Sequence, residues 1–222
     1  MNYILSPSLL SADFTRLDRE IKICEENNVP YLHVDVMDGM FVPNISIGIP
    51  VVKSIRKATN LVLDVHLMIV KPERYIEAFA EAGSDIINIH YEATEDPITV
   101  IKKIKSLGKK AAITIKPKTS YKEVIHLAEY VDMFLVMSVE PGFGGQSFIE
   151  STLKNVEGLA EYKASKGYEY DIEIDGGINI ENVTRPLDAG ANIIVAGSAI
   201  FGKEDTAVKI QSFNEIMSRY KR

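Results

Sequence analysis

The chain has 222 residues, 46% of them hydrophobic and 25% charged, enough for one large globular core or two small ones. A formal net charge of −6 argues against nucleic acid or anionic membrane as partners, but does not exclude an anionic small molecule. No run of 18 apolar residues is present, so no membrane span is expected, and the single cysteine, Cys24, has no internal partner, which fits a reducing, cytoplasmic compartment.

Short runs rich in Val, Ile and Leu predict strands near 3–10, 30–37, 61–68, 85–91, 109–115, 131–138, 170–175 and 192–197. Many are apolar on both faces, the pattern of buried parallel strands. The N-terminus, Met1 to Pro7, reads as the first strand and not as a signal peptide. Helical patterns lie between the strands. One begins near Asp13 and places Leu17, Ile21 and Cys24 at helical spacing. Another begins after Lys71-Pro72, with proline in the first turn. Glycine marks helix ends in Ala82-Gly83-Ser84-Asp85-Ile86-Ile87 and in Ala189-Gly190-Ala191-Asn192-Ile193-Ile194. These two stretches resemble each other, a faint repeat of one βα unit.

Eight strands alternating with helices leave a closed (β/α)8 barrel or an open doubly wound sheet. No Gly-x-Gly-x-x-Gly follows the first strand, which weakens the open sheet as a dinucleotide site. The barrel also accounts for polar residues collecting at strand C-terminal ends. With no linker, low-complexity tract or charge block, residues 1–222 read as one domain.

The second strand ends His33-Val34-Asp35-Val36-Met37, and the third ends Asp64-Val65-His66-Leu67-Met68. Side chains two apart share a strand face, so His33, Asp35 and Met37 lie together, as do Asp64, His66 and Met68. The seventh strand, Ile172-Glu173-Ile174-Asp175, ends in a carboxylate. A lone strand histidine is more often a hydrogen-bonded structural residue than a ligand. Here four ligand-type groups, His33, Asp35, His66 and Asp175, end strands that converge on one mouth of a barrel, which favours a metal site. Imidazole and carboxylate suit zinc, manganese, iron or cobalt. A carboxylate on either side of a bound substrate suits moving a proton from one face of a carbon to the other. Asp64 and Glu173 lie one layer deeper. They either brace the ligands or form an internal ion pair, with Lys116 as the candidate cation.

Gly176-Gly177 and Gly197-Ser198 follow the last two strands, and Gly197-Ser198 starts a short helical segment, Ala199-Ile200-Phe201. A single Gly-Gly is usually a tight turn. Glycines in both late loops together favour a phosphate site built from backbone N–H groups. The loop Pro141-Gly142-Phe143-Gly144-Gly145-Gln146-Ser147 is long enough to fold over a substrate. Met37, Met68 and Met137 sit at strand mouths, where they serve as core filler or as a non-titrating, water-excluding lining.

Taken in order, Ser6-Pro7-Ser8-Leu9-Leu10-Ser11-Ala12-Asp13, His33 to Gly39, Phe41-Val42-Pro43-Asn44, Asp64 to Met68, Pro141 to Phe148, Asp175-Gly176-Gly177 and Ala196 to Phe201 make the chain resemble the ribulose-phosphate 3-epimerase family. The resemblance runs from about Ser6 to Phe201. It implies a TIM barrel of the ribulose-phosphate-binding type that epimerises a ketopentose phosphate at C3, through an enediolate stabilised by one divalent metal, zinc first. It implies His33, Asp35, His66 and Asp175 as ligands, with Asp35 and Asp175 as the acid/base pair. Ser8 and His66 would meet the substrate near the metal, and Met37, Met68 and Met137 would line it. Gly142, Phe143, Gly144, Gly145, Gly176, Gly177, Gly197 and Ser198 would surround the phosphate. Homo-oligomers and a place in the pentose phosphate pathway or Calvin cycle are also implied.

One departure is Lys116-Pro117, where relatives usually have Asn-Pro; by alternation Lys116 points toward the mouth. The other readings are the same chemistry on a ketohexose phosphate such as allulose 6-phosphate, and a non-catalytic sugar-phosphate-binding barrel. A barrel decarboxylase would need Asp-x-Lys-x-x-Asp, whereas this chain has Asp35-Val36-Met37-Asp38.

Overall fold

Gly83 and Gly190 both adopt φ of +108° at helix C-termini, where their N–H groups bond back to Ala80 and Leu187. A residue with a Cβ is strained in that conformation, so the paired glycines set where two helices stop and two strands begin. The computed structural model describes residues 3–202 and 205–220. Met1 and Asn2, assigned to the first strand by the sequence pattern, lie outside the described residues.

The strands are β1 (Ile4–Pro7), β2 (Tyr31–Met37), β3 (Val62–Met68), β4 (Ile86–His90), β5 (Lys110–Ile115), β6 (Met133–Met137), β7 (Asp171–Asp175) and β8 (Ile193–Ala196). The helices are α1 (Leu17–Glu26), α2 (Ile49–Ala58), α3 (Ile76–Ala82), α4 (Pro97–Ser106), α5 (Tyr121–Val124), α6 (Leu153–Lys166), α7 (Thr184–Ala189) and α8 (Thr206–Ser218). All paired strands are parallel, in the order β1-β8-β7-β6-β5-β4-β3-β2. A bridge between Ser8 and His33 joins β1 to β2 and closes the ring. The chain is a single-domain (β/α)8 barrel, as the alternation predicts.

Two helix starts differ in detail from their sequence pattern. Asp13 caps a 3₁₀ turn, Phe14–Arg16, and α1 follows it. Pro72 opens another, Pro72–Arg74, ahead of α3. In both places a polar or proline-led turn fixes the entry of the helix before its apolar face begins.

Outward-facing strand residues such as Val34, Val65, Ile87, Ile113, Val136, Ile174 and Ile194 are fully buried beneath the helices. Each such side chain contributes about 1.5–3 kcal/mol. Inside the barrel, Tyr31, Ile86, Ala112, Met133 and Ile193 form an apolar plug at the N-terminal end, packed against Ile4 and Val62. In the next layer toward the mouth most inward residues are polar: Ser6, His33, Asp64, Asn88, Thr114 and Glu173 are all fully buried, beside Leu135 and Val195.

The repeat seen in the sequence has a structural purpose. Asp85 accepts a hydrogen bond from Leu63 N–H at 2.9 Å, and Asn192 accepts one from Ile172 N–H at 2.8 Å. Their own N–H groups return bonds to the carbonyls of Leu63 and Ile172. Asp132 does the same with Ala111, at 2.9 Å in both directions. Three side chains thus staple strand starts at the N-terminal end.

Candidate metal centre and cleft

β2 and β3 run in register, pairing His33 with Asp64 and Asp35 with His66. This pairing brings two imidazoles and a carboxylate together, and β7 adds Asp175. His33 Nε2 lies 3.3 Å from His66 Nδ1, 3.3 Å from Asp35 Oδ1 and 3.9 Å from Asp175 Oδ2. His66 Nδ1 is 3.1 Å from Asp35 Oδ1. One ligand atom from each of the four lies within 4.8 Å of all the others. Two nitrogens and two oxygens facing one point make a donor set suited to a divalent transition metal. The residues present therefore fit the cation that the strand pattern implies.

The electrostatics are uneven. Burial works against ionisation of Asp35, but His33 and His66 outweigh it and hold this carboxyl well below the usual range. Burial, reinforced by the charge of Asp35, pushes Asp175 up to about 6. For His33, burial favours the neutral ring, yet Asp35 and Asp64 outweigh it and raise its pKa. Ser8 Oγ donates to Asp35 Oδ2 at 2.6 Å and so fixes that carboxylate.

Asp64 accepts from His33 Nδ1 at 2.6 Å, which is the bracing role and not the ion pair. Lys116 does not reach these acids: its ammonium sits 3.9 Å from the centre of the Phe41 ring. Glu173 Oε1 stands 3.7 Å from His33 Nδ1. Burial and the charge of Asp64 push its carboxyl well above the usual range.

A cleft of about 510 Å³, open mouth included, lies above these residues. Ser8, Asp35, Met37, Met68, Met137 and Asp175 line its floor, with Gly142, Phe143, Gly144, Gly145, Gly176, Gly177, Gly197 and Ser198 around its wall. The predicted residues thus come together, except that His33 and His66 are fully buried and lie behind Asp35 and Asp175. Met37 and Met68 pack with Val42, and Met137 packs with Leu135 and Val139, into two small apolar clusters.

At Gly177 and Gly197 the wall has no room for a larger residue. A Cβ on Gly177 would meet Phe148 N at 2.5 Å, and one on Gly197 would meet Ser11 Oγ at 2.7 Å. At Gly197 the chain forms a turn, with Ile200 and Phe201 N–H bonding back to its carbonyl, rather than the short helix expected at Ala199-Ile200-Phe201. Gly202 ends this turn too soon for a helix to develop.

Several residues missed in the sequence support the site. Ser138 Oγ donates to the carbonyls of Asp175 and Gly176, and Asn182 Nδ2 to that of Gly177. Ser46 Oγ donates to Asp35 O at 2.6 Å. Asn44 Nδ2 reaches Gly142 O at 2.8 Å and ties the glycine loop to the loop after β2. His90, at the end of β4, puts Nε2 2.9 Å from His66 Nε2. Burial lowers His90 to about 4. Burial would raise its neighbour Glu92, but hydrogen bonds from His90, Thr119 and Lys116 N–H bring it to about 2. The signal for this pair was in the sequence, since His90 ends a strand and Glu92 follows two residues later.

A sequence profile of the ribulose-phosphate 3 epimerase family matches residues 4–201. The chain is 47% identical to the ribulose-phosphate 3-epimerase of Bacillus subtilis, over 90% of this chain and 93% of that protein. It is also 47% identical to that of Synechocystis, over 94% and 92%, and to the chloroplastic ribulose-5-phosphate-3-epimerase of Arabidopsis thaliana, over 94% and 75%. Among solved structures, 3-hexulose-6-phosphate synthase of Salmonella typhimurium superposes with a TM-score of 0.73 at 15% identity, covering 98% of this chain and 99% of that one. At that identity the likeness concerns the barrel alone.

Proposed function

The chain belongs to the ribulose-phosphate 3 epimerase family, and from that premise we propose a two-carboxylate inversion at C3 that interconverts D-ribulose 5-phosphate and D-xylulose 5-phosphate. His33, Asp35, His66 and Asp175 would hold one divalent cation, with zinc the first candidate and manganese, iron and cobalt the others. When bound, such a cation supplies Lewis-acid stabilisation for the negative charge that develops on substrate oxygens as the proton leaves.

The observation that carries this reading is the pair Asp35 and Asp175. They reach one cluster of ligand-type atoms from β2 and β7, and both line the cleft. Asp35, in its carboxylate form, would take the C3 proton from one face. Asp175, starting in its protonated form, would return one to the other face. In the reverse direction the roles exchange. Ser8 holds Asp35 in place through its hydroxyl. Met37, Met68 and Met137 exclude water without offering or taking protons. Backbone N–H groups of Gly142 to Gly145, Gly176, Gly177, Gly197 and Ser198 hold the phosphate at the far wall of the cleft.

We further read the chain, residues 1–222, as one domain that self-associates and works in the cytoplasm on pentose phosphates. No helix among the described residues is long and apolar enough to cross a membrane. The test is proton NMR of D-ribulose 5-phosphate in D2O with the zinc-loaded protein. Xylulose 5-phosphate carrying deuterium at C3 is expected. A metal-loaded protein that leaves the pentulose phosphate untouched but turns over a ketohexose phosphate would overturn the substrate assignment.

A further inference from the structure

We infer that His90 and Glu92 are positioning residues that set which nitrogen His66 offers to the cation; the inference rests on the metal reading above. His66 Nδ1 faces His33 and Asp35, so Nδ1 is the nitrogen that must give its lone pair to the cation. The ring proton of His66 then sits on Nε2. That atom lies 2.9 Å from His90 Nε2, so His90 Nε2 must accept. The proton of His90 is thereby placed on Nδ1, 3.3 Å from Glu92 Oε2, where a carboxylate accepts it. Glu92 is fixed in turn through Oε1, which accepts from Lys116 N–H at 2.8 Å and from Thr119 Oγ1 at 2.5 Å.

The opposite tautomer of His90 fails at both ends. Two N–H groups would face each other at 2.9 Å, and Glu92 would face a bare nitrogen. The two imidazole ligands therefore end in the same way. His33 reaches its carboxylate, Asp64, directly at 2.6 Å, while His66 reaches Glu92 through an intervening ring. The relay lies outside the substrate cleft. His90 is fully buried and packs 4.7 Å from the Phe41 ring, whose centre lies 3.9 Å from the Lys116 ammonium. Lys116 thus serves the relay twice, through its backbone N–H and through the ring it covers.

The direct test is a long-range proton–nitrogen correlation spectrum of the full chain, labelled with ¹⁵N at histidine, with and without zinc. On loading, His66 Nδ1 should shift, His66 Nε2 and His90 Nδ1 should show the protonated type, and His90 Nε2 the unprotonated type. Zinc on His66 with His90 protonated at Nε2 overturns the relay and leaves the metal site standing. Zinc that moves neither His33 nor His66 overturns the metal reading and the relay with it. A second measurement is zinc affinity by chelator competition. His90→Leu should weaken it about 10- to 100-fold, and His90→Gln, whose amide oxygen can accept from His66 Nε2, should restore most of the loss. A folded His90→Leu protein with unchanged affinity overturns the inference. If that variant does not fold, the tautomer spectrum of the unaltered chain decides.

Discussion

At the N-terminal end of the barrel, Asp85, Asp132 and Asn192 each accept from a strand N–H 20 to 22 residues earlier in the chain. At the other end, Ser8 reaches Asp35 and His33 reaches Asp64 across 27 and 31 residues, and Asp175 joins them from β7. Aspartate serves in both places, just before strand starts at one end and on strands at the other. The staples form within one βα unit, and their bonding oxygens are met by backbone donors. The interior beneath the metal site is different. Ser6 Oγ and Asn88 Nδ2 find no hydrogen-bond partner among the described residues, and the Glu173 carboxyl has the carboxylate of Asp64 as its neighbour. Buried polar atoms left that way weaken a fold by about 1–3 kcal/mol each unless something else meets them. One end is tied by backbone hydrogen bonds, and the other gathers buried ligand-type groups from distant strands.

Substitutions at the two ends should separate these effects. The largest change is expected at the site. Asp175→Asn should lower turnover about 10²- to 10⁴-fold, with the apo-protein melting close to the parent; full turnover with metal bound would remove Asp175 from the acid/base pair. Chelation of the metal should abolish activity by a similar factor and zinc should restore it, while far-ultraviolet circular dichroism stays barrel-like because the apolar core does not depend on the cation.

At the opposite end, Asn192→Ala leaves Ile172 N–H without its acceptor. A loss of about 1–3 kcal/mol in urea unfolding is expected, with kcat and KM unchanged; a drop in kcat at equal stability would mean that the two ends are coupled. The smallest effect concerns pH. Asp35 and Asp64 hold a proton on His33 above its usual range, and the cation must displace it. Zinc affinity should therefore rise with pH through neutrality, by about tenfold per unit for each proton released. Isothermal titration calorimetry in buffers of different ionisation enthalpy counts that proton.

The contrast also explains what the sequence made legible. The eight strands were readable because Val, Ile and Leu cluster in short runs with glycine at the helix ends, and the observed limits differ from the expected ones by a few residues at most. The grouping of His33, Asp35, His66 and Asp175 was readable because alternation puts His33 with Asp35, places His66 on the next strand and ends β7 on Asp175. The staples were half visible: the likeness of 82–87 to 189–194 showed, but Asp132, the third member, follows Tyr130-Val131 and lacks the glycine that marks the other two. The strand-end position of His90 is visible in the sequence, but its role with Glu92 appears only once β3 and β4 pair and the rings of His66 and His90 meet. Lys116 was placed toward the mouth by its parity, but the Phe41 ring draws its ammonium aside, a contact between residues 75 positions apart that no local pattern records.

The seam that closes the ring has a consequence for how the protein is made. Ser8 N–H bonds to Ala196 O, and Ser8 also bridges to His33. On the ribosome, the first strand therefore waits for nearly the whole chain before its β8 neighbour emerges. Contacts of such long sequence separation form late because the intervening chain must first be brought to order. A nascent chain halted before β8 can carry His33, Asp35 and His66 on paired strands, yet it lacks the partner strand that seats β1, and with it Ser8, against Asp35. The seating of β1 between β2 and β8, and with it the contact of Ser8 with Asp35, is then among the last parts of the barrel to form.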